Sequence, residues 1–221
     1  DRYEQLLELL QELAAREGQP QRRVQLYARI ARLSAEWLGD EEGAAEAWQE
    51  VLQIREDVEA LQFLRNRAER QDDPEQLAEI LKRMAALVSD ADQKRELLLE
   101  LGKLLYWQLD RFGDAVAVFR TILDEIDPSC DAAVEEMLTA SEATGDRRDL
   151  ADALERKLER ERSPNDRVEL ARRLADIYEA ERGTRSKRCA CYRCGPSRTD
   201  RIPSRTGGCS DRWRRTSATR S

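Results

Sequence analysis

Four cysteines near the C-terminus are the residues whose spacing first suggests chemistry. Cys189, Cys191 and Cys194, with Cys209 further along, could supply four thiolates to Zn²⁺. Cys191 and Cys194 have the CxxC spacing of a zinc knuckle, but Cys209 stands alone and Cys189 lies only two residues from Cys191. Because the second ligand pair of a zinc site is missing, we predict that the protein uses no metal and no other cofactor.

The same C-terminal segment also has the composition of a segment that binds nucleic acid. Residues 183–221 contain ten Arg and one Lys but only two Asp, and they include Tyr192 and Trp213. Cationic side chains bind phosphates, and aromatic rings stack on bases. A basic segment of this kind has little sequence specificity. Binding of RNA or DNA through residues 183–221 is therefore the alternative function, and nucleic acid is not the partner we expect first.

The rest of the sequence has few of the residue types that catalysis requires. The 221 residues include no His, which is the commonest acid–base residue and metal ligand. Gly207 and Gly208 lie in the C-terminal segment and open no helix, so they do not form a phosphate-binding loop. The 45 Asp and Glu residues fall mostly on amphipathic helices, where carboxylates form solvated faces. We predict that the protein is not an enzyme.

Charge and composition divide the chain near residue 183. The whole chain has a formal net charge of −7, so the basic residues 183–221 leave residues 1–182 strongly acidic. After Gly183 the sequence contains no Leu, Val, Met, Phe or Glu, and such a segment cannot bury enough apolar surface to fold as a helix pair. We predict a helical domain at 1–182 and a disordered or irregular tail at 183–221. Arg outnumbers Lys by 33 to 5 in the chain, which suggests GC-rich coding, so a shifted reading frame is another interpretation of the tail.

An apolar repeat organises residues 1–182. Its anchors recur at intervals of 38, 33, 38 and 35 residues, at Leu6, Ala44, Leu77, Ala115 and Leu150. Four residues after each anchor comes a large apolar residue: Leu10, Trp48, Leu81, Phe119 and Leu154. A third apolar residue follows seven or eight positions after each anchor: Leu13, Val51, Met84, Ile122 and Leu158. This spacing places one apolar stripe on each of five helices.

The repeat and the breakers between its units predict ten helices. They span about 2–17, 21–38, 41–55, 57–71, 75–88, 92–110, 112–125, 131–144, 147–161 and 166–182. Small residues align on three of the alternate helices, at Ala31, Gly102 and Ala175. The first two precede a stripe, whereas the repeat fails after Ala175, where Arg188 replaces the next small residue. Repeats near 35 residues, each a helical pair with a short connection, indicate an all-α, antiparallel helix-pair solenoid. No apolar run is long enough for a transmembrane helix.

Two segments of the chain resemble the tetratricopeptide repeat (TPR) family. They are LYARIARLSAEWLGDEEGAAEAWQEVL and LLLELGKLLYWQLDRFGDAVAVFRTILDEIDP. The matching positions are the small and large apolar residues of the repeat and a closing Asp-Pro: Ala31, Gly102, Ala44, Ala115, Trp48, Phe119, Asp127 and Pro128. The units between them look like degenerate versions, as in a fragment of a long bacterial TPR array. The resemblance covers residues 1–182, although the chain lacks the early Trp that is usual in the family. It implies a right-handed superhelix whose concave face binds peptides or partner domains.

The resemblance also implies which side chains face that groove. They flank the apolar stripe on the first helix of a pair: Gln25, Arg32, Glu96, Leu99, Lys103, Tyr106, Glu169, Arg172 and Asp176. Leu99 and Tyr106 form an aliphatic and aromatic pair typical of an interface anchor, although packing of Tyr106 on the next helix is an alternative. We therefore predict a non-catalytic scaffold that binds a protein or peptide.

Two further expectations concern the partner and the setting. The acidic domain favours a basic or amphipathic partner segment through complementary charge. Terminal helices that lack a neighbour favour self-association. The chain begins in mid-helix without Met, so it resembles a fragment, and with no signal peptide in view the cytoplasm is the default expectation.

Overall fold

The computed structural model describes the backbone of residues 2–193 and the side chains of residues 2–180. This part of the chain is all-helical and has no β-strand. The helices are α1 Arg2–Arg16, α2 Pro20–Leu33, α3 Glu41–Ile54, α4 Val58–Gln71, α5 Pro74–Leu87, α6 Ala91–Trp107, α7 Phe112–Thr121, α8 Asp131–Thr144, α9 Arg147–Arg160 and α10 Pro164–Arg193. Two π-helical turns, Ser34–Leu38 and Ile122–Ile126, prolong α2 and α7.

When the π-helical turns are counted with α2 and α7, the helices agree with those predicted from the repeat to within three residues at each end, except at the end of α10. The sequence predicted that this helix stops at residue 182, but it continues to Arg193, into the segment that was predicted to be irregular. Arg, Lys and Ala dominate residues 185–190, and these residues propagate a helix at little cost once it has begun. Low apolar content therefore did not end the helix at Gly183.

Aspartate side chains fix where many of the helices begin. In α4, the Asp57 carboxylate accepts hydrogen bonds from the backbone N–H groups of Glu59 and Ala60, at 3.0 and 3.4 Å. The residues that cap α3, α5, α6 and α9 in the same way are Asp40, Asp73, Asp90 and Asp146. Each cap satisfies backbone donors that the helix itself leaves unpaired, and replacing one by Ala typically costs about 1 kcal/mol.

From α1 to α9, each helix packs against the next, and the repeat positions form the core. Trp48 on α3 is 2% exposed and Phe119 on α7 is fully buried, so the predicted burial of both rings is confirmed. Ala44 and Ala115, the small residues one turn earlier, are also fully buried. Short connections between the helices make neighbours antiparallel. The even-numbered helices therefore run in one direction, and we call them the first helices of the pairs.

The repeat is less regular at the two ends of the domain. Leu13, predicted to lie on the buried stripe of α1, is 56% exposed, and Ala14 is buried in its place. Since α1 packs against α2 and its π-helical extension, only a narrow stripe of α1 is covered. At the other end, Ala175 is exposed, whereas its counterparts Ala31 and Gly102 are buried.

The chain divides into two compact units, Asp1–Ile177 and Tyr178–Ser221. The first contains the helix pairs. In the second, the described residues are the last part of α10. Within the described part of the chain, no helix is both long and apolar enough to cross a membrane.

Candidate functional site

Ion pairs connect the first helix of each pair to the first helix of the next, and we call this series the ion-pair ladder. Arg65 on α4 donates to Glu100 on α6 at 2.8 Å, and Arg173 on α10 pairs with Glu142 on α8. The other two steps are Arg32 on α2 with Glu59 on α4, and Lys103 on α6 with Glu136 on α8. The four steps join α2, α4, α6, α8 and α10 in order.

Arg32, one of the predicted groove residues, makes the most elaborate step of the ladder. Its Nε donates to Glu59 at 2.7 Å, a second nitrogen bonds the other carboxylate oxygen, and the guanidinium carbon lies 6.0 Å from the centre of the Trp48 ring. The hydrogen bond with Glu59 raises the pKa of Arg32, and the same bond lowers the pKa of Glu59. Arg32 therefore tethers α2 to α4 and covers one side of a core residue.

Lys103 occupies the equivalent position on α6, and it also lies on the ladder. Its Nζ is 3.5 Å from Glu136, so the contact is longer than that of Arg32 and involves one nitrogen only. Both predicted cations are about half exposed and paired within the chain. A partner that approaches this surface therefore meets charges that are already partly compensated.

Leu99 and Tyr106, the predicted anchor pair, are half-buried and pack against the hydrophobic core. The Tyr106 ring lies 5.3 Å from the Phe112 ring at the start of α7 and 4.6 Å from the Trp107 ring. Tyr106 thus packs across the turn between α6 and α7, which is the alternative that the sequence left open, and part of its surface remains accessible.

The remaining predicted groove residues are exposed side chains on α2, α6 and α10. They are Gln25, Glu96, Glu169, Arg172 and Asp176. With Arg32, Lys103, Leu99 and Tyr106 they occupy three of the five first helices. Of the five residues Gln25, Glu96, Glu169, Arg172 and Asp176, three are carboxylates and one is a cation, so this part of the surface is acidic.

A groove between α3, α4 and α5 was not anticipated from the sequence. It has a volume of about 380 Å³, with Leu52, Leu64 and Ile80 among its lining residues. Polar and charged side chains complete the lining: Gln49, Gln53, Gln76, Glu79 and Arg83. The half-buried Leu52 packs against both hydrophobic clusters of the core, so the groove lies at the seam between them. Its residues come from three helices, and no single-helix periodicity could have revealed their convergence.

Two exposed tryptophans were also missed. Trp37 and Trp107 are 61% and 67% exposed, and each lies at the C-terminal end of a first helix. The available signal was their position: both fall outside the apolar stripe of their helix and immediately precede a turn.

The metal and nucleic-acid predictions concern residues whose side chains the structure does not describe. Among the side chains of residues 2–180, no group of three or more His, Cys, Asp or Glu is arranged to hold a metal ion. The predicted zinc ligands Cys189, Cys191, Cys194 and Cys209, and the aromatic residues Tyr192 and Trp213, lie outside that range.

Comparisons with known proteins add no family to this geometry. No family model matches the chain, and a comparison with curated proteins finds no similar sequence. The resemblance to the TPR family therefore rests on the residues themselves and stays a prediction.

Proposed function

We propose that residues 1–182 form a TPR-like solenoid, a right-handed superhelix of helix pairs, which serves as a non-catalytic scaffold and binds a peptide or a partner domain along its first helices. The observation that carries this proposal is the ion-pair ladder. A side chain on one first helix reaches the next first helix at each of four successive steps. Helices joined in that way lie side by side, as the first helices of a repeat array do.

The second helices support the same arrangement. Arg120 on α7 donates to Asp149 and Asp152 on α9, at 2.8 and 3.0 Å. Arg156 on α9 donates to Asp152 and, in return, to Asp124 at the end of α7. The units α6–α7 and α8–α9 are therefore linked through both their first and their second helices. Exposed ion pairs contribute at most about 1 kcal/mol each, so we assign these links to the register of neighbouring units more than to stability.

The chemistry of the first helices favours a basic or amphipathic segment as the partner. Glu96, Glu169 and Asp176 present exposed carboxylates, and Leu99, three residues after Glu96 on α6, offers a partly exposed apolar contact. An amphipathic partner with cationic and aliphatic residues could pair with the carboxylates and cover Leu99. An acidic partner would meet like charge over most of the domain.

In the test, the full chain is immobilised, and peptides that bind it are selected from a displayed random library. Their affinity for the protein in solution is then measured by fluorescence anisotropy. Leu99→Ala together with Glu96→Lys should weaken the selected peptides by roughly tenfold, since one apolar contact and one charge contact are lost. Leu52→Ala is the matched control, because Leu52 is a half-buried leucine on α3, a second helix.

The result that contradicts the proposal is specific. If Leu52→Ala weakens the peptides and the Leu99 variant does not, the binding surface is the groove between α3 and α5. Helical content by circular dichroism must match the parent protein in both variants. Tyr106 is left intact in this experiment because its ring supports Phe112, and its loss would disturb the turn as well as the surface.

A further inference from the structure

The described tryptophans divide sharply between the core and the surface. Trp48 is 2% exposed, whereas Trp37 and Trp107 are 61% and 67% exposed. An indole ring buries more apolar surface than almost any other side chain, so leaving two of them in water forgoes a large favourable contribution. Exposed tryptophans are also enriched among residues that anchor protein interfaces.

The two exposed rings lie at one edge of the domain. Trp37 is in the π-helical extension of α2, and Trp107 is the last residue of α6. Since α3 returns along α2 and α5 returns along α4, the helices α2, α4 and α6 all end at this edge. The ladder places α4 between the other two through Arg32–Glu59 and Arg65–Glu100. We call this surface, bounded by Trp37 and Trp107, the aromatic edge.

Both rings are held in place by other aromatic side chains. Trp37 stacks on Tyr3 of α1, with 4.9 Å between ring centres and 19° between planes. Trp107 meets the Tyr106 ring at 4.6 Å and 87°, and Tyr106 in turn lies 5.3 Å from Phe112. Rings that are supported before binding lose little rotational freedom when a partner covers them, which lowers the entropic cost of binding.

The aromatic edge is also strongly acidic. The turns that end α2, α4 and α6, at residues 36–42, 69–75 and 107–114, contain ten Asp or Glu and two Arg. Both arginines are already paired inside the edge: Arg70 lies 2.6 Å from Glu41, and Arg111 lies 2.6 Å from Asp114. An approaching partner therefore meets indole faces surrounded by excess negative charge.

We propose that the aromatic edge is a docking surface for a Lys- or Arg-rich segment of a partner protein. Cationic side chains would lie over the indole faces of Trp37 and Trp107, and neighbouring cations would pair with the carboxylates of the three turns. A cation over an exposed indole is attracted by the ring quadrupole, and tryptophan provides the strongest such attraction. This surface is separate from Leu99 and Glu96, so it goes beyond the function proposed above.

The probe for this surface is a fluorescein-labelled peptide of alternating Lys and Ala residues, with a Glu–Ala peptide of equal length for comparison. Anisotropy with the full chain should show binding of the Lys peptide only. Trp37→Ala with Trp107→Ala should weaken that binding by roughly tenfold, since two exposed cation–π contacts are lost. The double variant keeps every charge, so the loss isolates the rings from general attraction to an acidic protein.

Two further variants make the result decisive. Val58→Ala is the control, because Val58 is 52% exposed at the start of α4, at the opposite edge, and its loss should leave the affinity unchanged. Trp37→Phe with Trp107→Phe should lose less affinity than the Ala pair, and it decides the question if the Ala pair folds poorly. Leu99→Ala should have no effect here, which separates this proposal from the preceding one.

Three outcomes would overturn the proposal. The first is an unchanged affinity of the folded double variant for the Lys peptide. The second is equal binding of the Glu–Ala peptide. The third is a dimer, detected by sedimentation, that the double variant abolishes and the Lys peptide does not compete with; the occupant would then be a second copy of the chain.

Discussion

The helix pairs α2–α3 and α6–α7 occupy equivalent places in the repeat, 71 residues apart, and they solve the same packing problem differently. In the first pair, Ala31 and Trp48 are buried in the same hydrophobic cluster. In the second, Gly102 lies against the ring of Phe119, and a Cβ atom added at Gly102 would lie 2.5 Å from the Phe119 Cζ atom. The two pairs therefore share a pattern of small and large residues, but α6 and α7 approach each other without room for even a methyl group.

The difference extends to the polar side of each pair. The Arg32 guanidinium lies near the face of Trp48 and reaches Glu59, whereas Lys103 makes one longer contact with Glu136. In pair α2–α3, the Arg32 guanidinium therefore lies over the apolar core at Trp48, and we call it a charged lid. In pair α6–α7, the fully buried Phe119 ring instead packs closely against Gly102. The same sequence position is tolerant in one pair and restrictive in the other, which a repeat alignment by itself does not show.

The largest expected effect comes from removing the aromatic ring of either pair. Phe119→Ala and Trp48→Ala should each lower the free energy of unfolding by about 3–5 kcal/mol, because each leaves a cavity in the core. Urea denaturation followed by circular dichroism measures this change. Trp107→Ala is the matched control: its ring is 67% exposed, so the loss should stay within about 0.5 kcal/mol. A small effect at Phe119 would show that α6–α7 is not the tighter pair.

Exchanging the small residues should show the difference in packing between the two pairs more directly. Gly102→Ala should destabilise by about 1–3 kcal/mol, since the added methyl group meets the Phe119 ring, which is fully buried. Better helix propensity of Ala offsets about 1 kcal/mol of the intrinsic strain. Ala31→Gly should cost about 1 kcal/mol through the reverse change in propensity. The same urea titration compares the two variants, and a stabilising Gly102→Ala would contradict the close approach.

The sequence predicted the helices and their core much better than the surfaces. Repeating apolar positions determine which face of a helix is buried, so Trp48, Phe119, Ala44 and Ala115 were placed correctly. The pattern failed where neighbours are missing, as at Leu13 on α1. It also could not distinguish Ala31 from Gly102, because both are simply small residues, and the distance between two helix backbones is a property of the packed pair.

The candidate surface was predicted less completely. Arg32 and Lys103 were expected to face a partner, but their pairing with Glu59 and Glu136 depends on side chains 27 and 33 residues away. The exposure of Trp37 and Trp107 was not predicted, although both residues lie outside the apolar stripe of their helix. The groove around Leu52 needs three helices to form. For the ion pairs and the groove, the missing information was a contact between residues distant in sequence.

The ion pairs Arg32–Glu59 and Lys103–Glu136 should differ less in their contribution to the free energy of unfolding. Arg32→Gln should destabilise by at most about 1 kcal/mol, and Lys103→Gln by less, since exposed ion pairs are weak and the Lys103 contact is longer. Double-mutant cycles with Glu59→Gln and Glu136→Gln isolate each coupling energy from other effects of the substitutions. Both couplings should decline as salt is added. A coupling at Lys103 equal to or larger than that at Arg32 would remove the contrast between the two ion pairs.

Acid should weaken the Arg32–Glu59 ion pair, because protonation of Glu59 removes its negative charge. The hydrogen bond with Arg32 holds the pKa of Glu59 below its ordinary value of 4.5. A carboxyl group whose pKa is lower in the folded than in the unfolded protein stabilises the fold above its unfolded pKa, and that contribution disappears as the pH falls through the folded pKa. The stability difference between the parent protein and Glu59→Gln should therefore be largest near neutral pH and shrink below about pH 4.5. Urea titrations of both proteins across this range test the difference itself, so other carboxyl groups that protonate in both largely cancel. A difference that stays constant down to about pH 3 would mean that Glu59 contributes through packing, and the charged lid over Trp48 would then not distinguish α2–α3 from α6–α7.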